Sequence, residues 1–166
     1  MTEKDWVKSI IDKIEVRLGK TNKNIRVVDG HRLSYTNEVL NYDNENLPKE
    51  SITRGYETDI LIYEQQNKEI WRPRIVIETK LGSVTTHDAI TYSQKAQTHK
   101  YVHPYLRYGI LIGKREENPL PGRLFRHGSY FDFMLSWKAL KADRNEFKVF
   151  LDIINDEIQA SVMSSI

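Results

Sequence analysis

Apolar residues near the N-terminus recur every three or four positions, which is the spacing of an amphipathic helix. Thr2 and Asp5 have the separation of a capping box, which predicts that the helix begins directly after Thr2. Gly19 follows the last apolar residue and predicts the end of the helix. The apolar stripe consists of Val7, Ile10, Ile11, Ile14 and Leu18. We expect most of this stripe to pack in the core.

Two uninterrupted apolar runs in the middle of the chain predict buried β-strands. The first run is residues 60–63, and the second lies within residues 74–80. A polar turn at residues 64–71 separates them. The length of the runs and the short connection between them favour an antiparallel hairpin.

The segment before these runs predicts one strand and one long loop. Residues 25–33 have the composition of a strand, interrupted by the turn signal of Asp29 and Gly30. Residues 36–55 are rich in Asn, Asp, Glu and Gly, and we interpret them as a loop. A loop of that length in a compact domain tends to be functional or mobile.

Helical periodicity returns after the second apolar run. A helix start signal at residues 85–88 follows Gly82 and Ser83, and it predicts a helix from about His87 to Val102. One stripe of this helix is expected to be core and consists of Ala89, Tyr92, Ala96 and His99. The other stripe is Ile90, Gln94, Gln97 and Tyr101, flanked by Lys95 and Lys100.

Pro104 ends this second helix, and the remaining chain predicts at least one more strand and one more helix. Residues 105–113 predict a mostly buried strand in which Gly109 permits the close approach of a neighbour. Residues 129–137 fit a strand or a helix equally well. From Asn145 an apolar stripe predicts an amphipathic helix that packs on the sheet or contributes to a dimer. Its members are Phe147, Phe150, Leu151, Ile154, Ile158 and Val162.

Charged residues occupy the tips of the two central strands. Asp59 precedes the first run, whereas Glu78 and Lys80 end the second. Strand side chains alternate between faces, so Glu78 and Lys80 project to one side and Thr79 to the other. In an antiparallel pair Asp59 falls opposite the region of Glu78, with Cβ atoms about 5 Å apart. Two carboxylates at that separation can hold Mg²⁺, whose remaining positions take water and phosphate oxygens.

The same residues also admit a purely structural interpretation. Glu78 and Lys80 would then form a salt bridge at the sheet edge, and Asp59 would be a turn acid. The spacing of acid and base alone favours this interpretation, because such pairs are common. The upstream acid, the hairpin and the helix after Lys80 favour a site. In that site a metal would activate water, and Lys80 would orient the nucleophile or stabilise phosphoryl charge.

The set Asp59 and Glu78-Thr79-Lys80 resembles the motif of the PD-(D/E)XK nucleases, over roughly residues 3–113. The resemblance implies the restriction-endonuclease-like fold, an α/β domain with a mixed central β-sheet flanked by helices. Its core runs helix, three-stranded meander, helix, strand, and here a C-terminal helix would follow. The implied activity is a Mg²⁺-dependent DNA endonuclease in which Mn²⁺ substitutes. Asp59, Glu78 and Lys80 would be catalytic, and the metal ligands would be Asp59, Glu78 and the backbone carbonyl of Thr79.

Further features are interpreted only through the resemblance. The motif carries proline where this chain has Thr58, a position that does not bind the metal. An acid on the first helix sometimes reaches the metal, which makes Glu15 a candidate. One exonuclease-like branch has Gln-x-x-x-Tyr on its second helix, and Gln97 and Tyr101 match that pattern. A type II restriction enzyme is the main expectation, and this match favours the alternative of a junction or repair nuclease.

Composition is that of one ordinary globular domain. The chain has 166 residues, 39% of them hydrophobic and 29% charged, which fits a single nuclease domain over residues 1–166. Cysteine is absent, which excludes disulfides and thiolate zinc sites. No apolar run is long enough to span a bilayer, and the polar N-terminus is unlike a signal peptide. We therefore expect a cytoplasmic protein without a membrane partner.

The net charge of +2 hides an uneven distribution. Residues 95–126 contain seven basic and two acidic residues, whereas acidic residues outnumber basic ones in residues 29–69. A basic segment beside a metal site suits a polyanion, although a solvated basic face is equally compatible. We therefore expect DNA as the partner. The candidate DNA contacts are Gln94, Lys95, Gln97, Lys100 and Tyr101.

Two expectations about assembly and activity complete the hypothesis. The resemblance to restriction enzymes implies a homodimer, because two-fold protein symmetry matches a palindromic target. The alternative from another functional class is a DNA-binding module without catalysis. It would bind DNA with strong salt dependence and show no Mg²⁺-dependent cleavage.

Overall fold

A mixed five-stranded β-sheet forms the centre of the protein, and helices cover both of its faces. The structure is a computed structural model and describes residues 1–165. In chain order the elements are α1 (Glu3–Leu18), β1 (Ile25–Asp29), β2 (Arg32–Tyr42), β3 (Pro48–Glu57), β4 (Ile60–Gln65), β5 (Trp71–Leu81), α2 (Thr86–Val102), β6 (Arg107–Gly113), α3 (Gly122–His127), β7 (Phe133–Ser136) and α4 (Arg144–Met163). The central sheet has the order β1-β4-β5-β6-β7, and β2 pairs with β3 in a separate two-stranded sheet.

The pairing of neighbouring strands changes once across the central sheet, from antiparallel to parallel at β5. β1, β4 and β5 are antiparallel neighbours, with Val27 opposite Ile62 and Ile62 opposite Ile75. β6 lies parallel to β5, and β7 lies parallel to β6. A parallel pair needs a crossover connection, which α2 supplies between β5 and β6. The α/β class with a mixed sheet flanked by helices, expected from the sequence, is confirmed.

The central strands are apolar at consecutive positions because both faces of the sheet are covered. One face packs against α1 and α4, and its buried residues include Ile60, Ile62, Ile75 and Ile77. The other face packs against α2 through Leu61 and Val76. On β6, Gly109 leaves room for Phe133 of β7, since a Cβ built on Gly109 would lie 2.3 Å from that ring. The predicted close approach at Gly109 is therefore confirmed.

Capping boxes fix the start of each long helix. Thr2 and Asp5 form the box of α1 that the sequence predicts. Thr85 and Asp88 form the same motif before α2. The C-terminal helix begins after its cap, Asp143, close to the predicted start. The ambiguous residues 129–137 contain a strand, β7.

Two expectations for residues 25–55 are wrong. Residues 25–33 are interrupted at Asp29 and Gly30 as predicted, where Gly30 has a φ of 61°, but the two parts belong to separate strands and not to one. β2 then starts at Arg32 in the other sheet. Residues 36–55 are not a loop, since β2 and β3 pair along them as a long antiparallel hairpin. Most of this hairpin is solvent-exposed on both faces, so it lacks the apolar alternation by which a half-buried strand is recognised.

The hairpin rejoins the central sheet at the edge that carries the candidate site. Only two residues, Thr58 and Asp59, connect β3 to β4. Thr58 is buried, and both its N–H and its hydroxyl donate to the carbonyl of His31, at 2.9 and 2.8 Å. These bonds fix the turn that presents Asp59 beside the end of β5.

Candidate active site

Asp59 and Glu78 lie at the same end of the central strands β4 and β5. Ile60 is opposite Ile77, so the register continued by one residue sets Asp59 opposite Glu78. Oδ2 of Asp59 accepts hydrogen bonds from the backbone N–H of Thr79 at 2.7 Å and from its hydroxyl at 3.0 Å. These two bonds hold the Asp59 carboxylate against the end of β5.

Glu78 points toward α2 and is only 1% exposed. Its Oε1 accepts a hydrogen bond from the hydroxyl of Tyr108 on β6, and Nζ of Lys95 on α2 lies 2.6 Å from the same oxygen. Burial raises the pKa of the Glu78 carboxyl, the Lys95 ammonium opposes that rise, and the charge of Asp59 adds to it. Burial and Glu78 also raise the pKa of Tyr108, so its hydroxyl remains a donor. The buried acid is therefore balanced by one cation and one hydroxyl.

Lys80 lies in a second set of charges on the same edge. Its Nζ is 3.6 Å from a carboxylate oxygen of Glu3 on α1 and 3.6 Å from one of Asp88 on α2. The same ammonium lies 5.5 Å from the ring centroid of Tyr92. Burial acts to lower the pKa of Lys80, but Tyr92, Glu3 and Asp88 together raise it above its usual value. Lys80 is therefore a fixed, protonated cation at neutral pH.

The cation paired with Glu78 is thus Lys95 and not Lys80. The structural interpretation of the sequence requires a salt bridge between Glu78 and Lys80, and within residues 1–165 the ion pairs of Lys80 are with Glu3 and Asp88. A buried carboxylate that draws its counter-ion from another element is more constrained than a surface salt bridge. The site therefore carries two lysines, Lys80 and Lys95, and each is held by its own acidic partners.

A cavity of about 160 Å³ opens beside Asp59. Three further carboxylates line it, from Glu3, Asp29 and Glu57, and Thr79 lies in its wall. Asp59 itself is partly exposed. Solvent and small cations can therefore approach Asp59, whereas Glu78 is shielded by its neighbours.

Each of the two carboxylates has one oxygen that makes none of these contacts, and such an oxygen is a suitable ligand for a hard cation. The hydrogen bonds to Asp59 end on Oδ2 and the contacts of Glu78 end on Oε1, so Oδ1 and Oε2 have no such partner within residues 1–165. In that part of the chain no group of three or more His, Cys, Asp or Glu side chains is placed to hold a metal ion. Mg²⁺ needs only one or two carboxylates and retains several waters. A donor set of two carboxylates fits such a cation and does not fit a closed cage of protein ligands.

The two α2 lysines expected to contact DNA both have carboxylate partners. Lys95 pairs with Glu78, and its ammonium also lies over the rings of Tyr56 and Tyr92. Nζ of Lys100 lies 2.7 Å from Oδ2 of Asp132. Their charges are therefore largely balanced inside the protein.

The other three α2 candidates lie on the outer surface of the helix. The side-chain amide of Gln94 donates to Oε1 of Gln97 at 3.0 Å. The amide of Gln97 in turn donates to the hydroxyl of Tyr130. Tyr101 is 73% exposed. The structure thus does not gather Gln97 and Tyr101 around the two carboxylates.

Sequence reasoning missed two residues of the site and gave a third another role. Tyr108 is the only polar side chain inside an otherwise apolar stretch of β6, which is the signal that was available for it. Glu3, and not Glu15, is the α1 acid that reaches this edge. Glu15 instead accepts a hydrogen bond from the backbone N–H of Val27 at 2.7 Å. The role of Lys95 depends on how α2 crosses the sheet, which sequence spacing does not reveal.

Comparison with protein-family models gives no match, and comparison with curated proteins gives no match either. Within residues 1–165, every helix is too short or too polar to cross a membrane.

The pair of Glu78 and Lys95 generates a stability prediction. Lys95→Met should lower the free energy of unfolding by about 3–5 kcal/mol, because it leaves a buried carboxylate unpaired. The raised pKa of Glu78 means that its stabilising contribution is present below the unfolded-state pKa and is lost as pH rises through the folded-state pKa. The decrease in the free energy of unfolding caused by Lys95→Met should therefore become larger as pH rises. Urea denaturation across a pH series measures it.

The double variant Glu78→Gln/Lys95→Met supplies the matched control. It removes both charges and should regain most of the stability that Lys95→Met loses. Equal effects of Lys95→Met in the presence and absence of Glu78 would show that the two groups do not interact.

Proposed function

We propose that this protein is a Mg²⁺-dependent DNA endonuclease, similar to type II restriction enzymes. The observation that carries the proposal is the juxtaposition of Asp59 and Glu78 across the β4–β5 register, with the ammonium of Lys80 at the same sheet edge. The order of α1, three antiparallel strands, α2 and a parallel strand supports a restriction-endonuclease-like fold. The β2–β3 hairpin is then an insertion between the first and second strands of that core.

Three groups are suited to hold the metal. These are the carboxylates of Asp59 and Glu78 and, by the resemblance, the backbone carbonyl of Thr79. When bound, Mg²⁺ would supply a water of lowered pKa and positive charge for a phosphate oxygen. Its binding requires an ionised Glu78, and the raised pKa of this carboxyl therefore links binding to pH.

Lys80 is the residue suited to act on the reacting phosphate. It keeps its proton at neutral pH because Glu3, Asp88 and Tyr92 surround it, so it acts as an electrostatic group and not as a base. A preorganised cation stabilises the negative charge that develops on the phosphoryl group. Lys95 instead positions Glu78 and neutralises its charge.

DNA would approach from the side of α3. This short helix exposes Arg123, Phe125 and Arg126, a basic and aromatic set. A guanidinium nitrogen of Arg123 donates to the carbonyl of Val84, which lies just beyond the end of β5. Neither arginine has a carboxylate partner within residues 1–165, in contrast to Lys95 and Lys100. We therefore assign the phosphate contacts nearest the site to α3 before α2.

One observation favours a second candidate, a DNA-binding module without catalysis. Glu78 is fully enclosed, and Lys95 and Tyr108 together satisfy its Oε1 without any metal. In that case Glu78 would be a structural acid. The two candidates differ in whether Mg²⁺ makes the protein cut DNA.

The cleavage experiment compares supercoiled plasmid and genomic DNA with Mg²⁺, with Mn²⁺ and with EDTA. We expect discrete products with either metal and none with EDTA. Asp59→Asn and Glu78→Gln should each abolish cleavage while leaving the circular dichroism spectrum unchanged. Lys80→Met should slow cleavage a hundredfold or more, corresponding to about 3 kcal/mol of transition-state stabilisation. Glu69→Gln, an exposed acid in the β4–β5 turn, is the matched control.

Intact DNA in every metal condition, together with salt-dependent DNA binding, would favour the non-catalytic module. Cleavage that survives in the Asp59→Asn/Glu78→Gln double variant would remove this site from consideration. Preference for branched over palindromic duplex substrates would favour the repair nuclease.

The assignment of α3 to DNA binding predicts a change in salt dependence. Arg123→Gln/Arg126→Gln should weaken binding to cognate and random DNA alike. The slope of log K against log salt should fall by about one unit for each phosphate that the variant no longer neutralises. Fluorescence anisotropy from 50 to 300 mM salt, roughly the range over which phosphate contacts dominate, measures the slope. The comparison variant is Lys100→Gln, which leaves the buried pair of Glu78 and Lys95 intact, and a slope change of about one unit there would place the DNA on α2.

A further inference from the structure

The β2–β3 hairpin forms an arm that leaves the body of the protein. We define the arm as residues 36–54, the part of the hairpin beyond its base. At the base, the rings of Tyr35 and Tyr56 stack at 3.8 Å, and both contact the buried His99 of α2 edge-on. Nδ1 of His99 also bonds the carbonyl of Ser34 at 3.1 Å. The base is therefore fixed to α2, while almost every side chain of the arm is exposed.

An isolated two-stranded hairpin is at best marginally stable in water. The arm nevertheless exposes four large apolar side chains, and β3 pairs with β2 along one edge only. The exposed apolar residues are Leu40, Tyr42, Leu47 and Ile52. Of these residues only Ile52 lies on β3, and the unpaired edge of β3 is a template for pairing with another strand. A further strand on β3 would stabilise the arm.

The sequence of β3 is complementary to itself in the antiparallel direction. If two copies pair about a two-fold axis at Ile52, each Ile52 faces the other. Glu50 then faces Arg54 of the second copy, and Ser51 faces Thr53 of the second copy. Apolar, hydroxyl and opposite-charge pairs directly across strands each stabilise a sheet. The two-fold axis repeats the Glu50–Arg54 and Ser51–Thr53 pairs on either side of Ile52, as an isologous interface requires.

We propose that the protein forms a symmetric dimer in which the β3 strands of two copies pair antiparallel about Ile52. The two arms then make one continuous four-stranded sheet in the order β2-β3-β3-β2. This proposal is independent of the proposed nuclease function, because it uses no residue of the candidate active site.

The charge of the arm favours a protein partner over DNA. Residues 36–54 contain four acidic and two basic residues, which is unsuited to contact with phosphates. The present partners of the pairing residues are weak. Arg54 lies 3.6 Å from Glu38 with both side chains about half exposed, and Glu50 is bonded to the exposed Asn41. Such exposed contacts contribute little to stability, so Arg54 and Glu50 can leave them and contact the second copy when the β3 strands pair.

The pairing is expected to be reversible. One strand from each copy contributes less surface than the roughly 800 Å² per partner of a standard stable interface. Dimer and monomer should therefore interconvert with protein concentration, which makes sedimentation velocity over a concentration series the suitable measurement.

Charge reversal tests the register. Glu50→Arg places the introduced arginine opposite Arg54 of the second copy, and Arg54→Glu places a glutamate opposite Glu50. We expect each variant alone to be monomeric at concentrations where the unaltered protein is dimeric. An equimolar mixture should restore dimers, because both cross-strand pairs are then of opposite charge. Lys68→Glu, at an exposed site in the β4–β5 turn, should remain dimeric.

Restoration on mixing separates pairing from any effect of a single reversal on the folding of the arm. A monomeric unaltered protein, dimeric single variants or a mixture that stays monomeric would each overturn the proposal. A loss of DNA binding in the reversal variants of a protein that is monomeric throughout would assign the arm to DNA instead.

The absence of cysteine permits a second, independent test. Ile52→Cys introduces a unique thiol at the axis, where directly opposed Cα atoms are about 4.5–5.5 Å apart, within disulfide range. Mild oxidation should convert most of this variant into covalent dimers. Leu40→Cys, on the other strand of the arm and also exposed, should cross-link several-fold more slowly. Equal rates for the two variants would contradict pairing at Ile52.

Discussion

The buried carboxylate of Glu78 is the constraint on which this edge of the protein depends. A carboxylate that is 1% exposed is costly unless charges and hydrogen bonds replace the water it has lost. Lys95 from α2 and Tyr108 from β6 supply those replacements. The acid therefore links β5 to the helix and the strand that follow it, at the place where α2 crosses the sheet.

That crossing also positions the rest of the candidate site. Because α2 is held over β5, Asp88 and Tyr92 reach Lys80, and Glu3 of α1 completes the set of groups around this lysine. Two turns beyond Tyr92 on α2, His99 contacts the base of the β2–β3 hairpin, and burial lowers the pKa of His99 to about 4. It therefore stays neutral at physiological pH, and the same helix organises the carboxylates and the arm.

The sequence predicts the parts of the fold that have one strong physical signal. Capping boxes locate α1 and α2, continuous apolar runs locate β4 and β5, and the strand register follows from them. The sequence does not predict the β2–β3 hairpin, because strands exposed on both faces lack an apolar period. At the site, the juxtaposition of Asp59 and Glu78 follows from local pairing. The partnership of Glu78 with Lys95 and Tyr108 depends on tertiary packing between elements distant in sequence, which spacing alone does not determine.

The proposed function requires Asp59 and Glu78 to bind one divalent cation, and direct titration with Mn²⁺ tests this binding without relying on cleavage. Electron paramagnetic resonance reports the free ion, so the loss of its signal measures binding to the protein. We expect one site whose affinity increases as pH rises, because Glu78 must ionise against its raised pKa. Asp59→Asn and Glu78→Gln should each weaken binding at least tenfold. Binding of Mn²⁺ that is equally tight in the unaltered protein and in both variants would contradict the assignment of the metal to these two carboxylates.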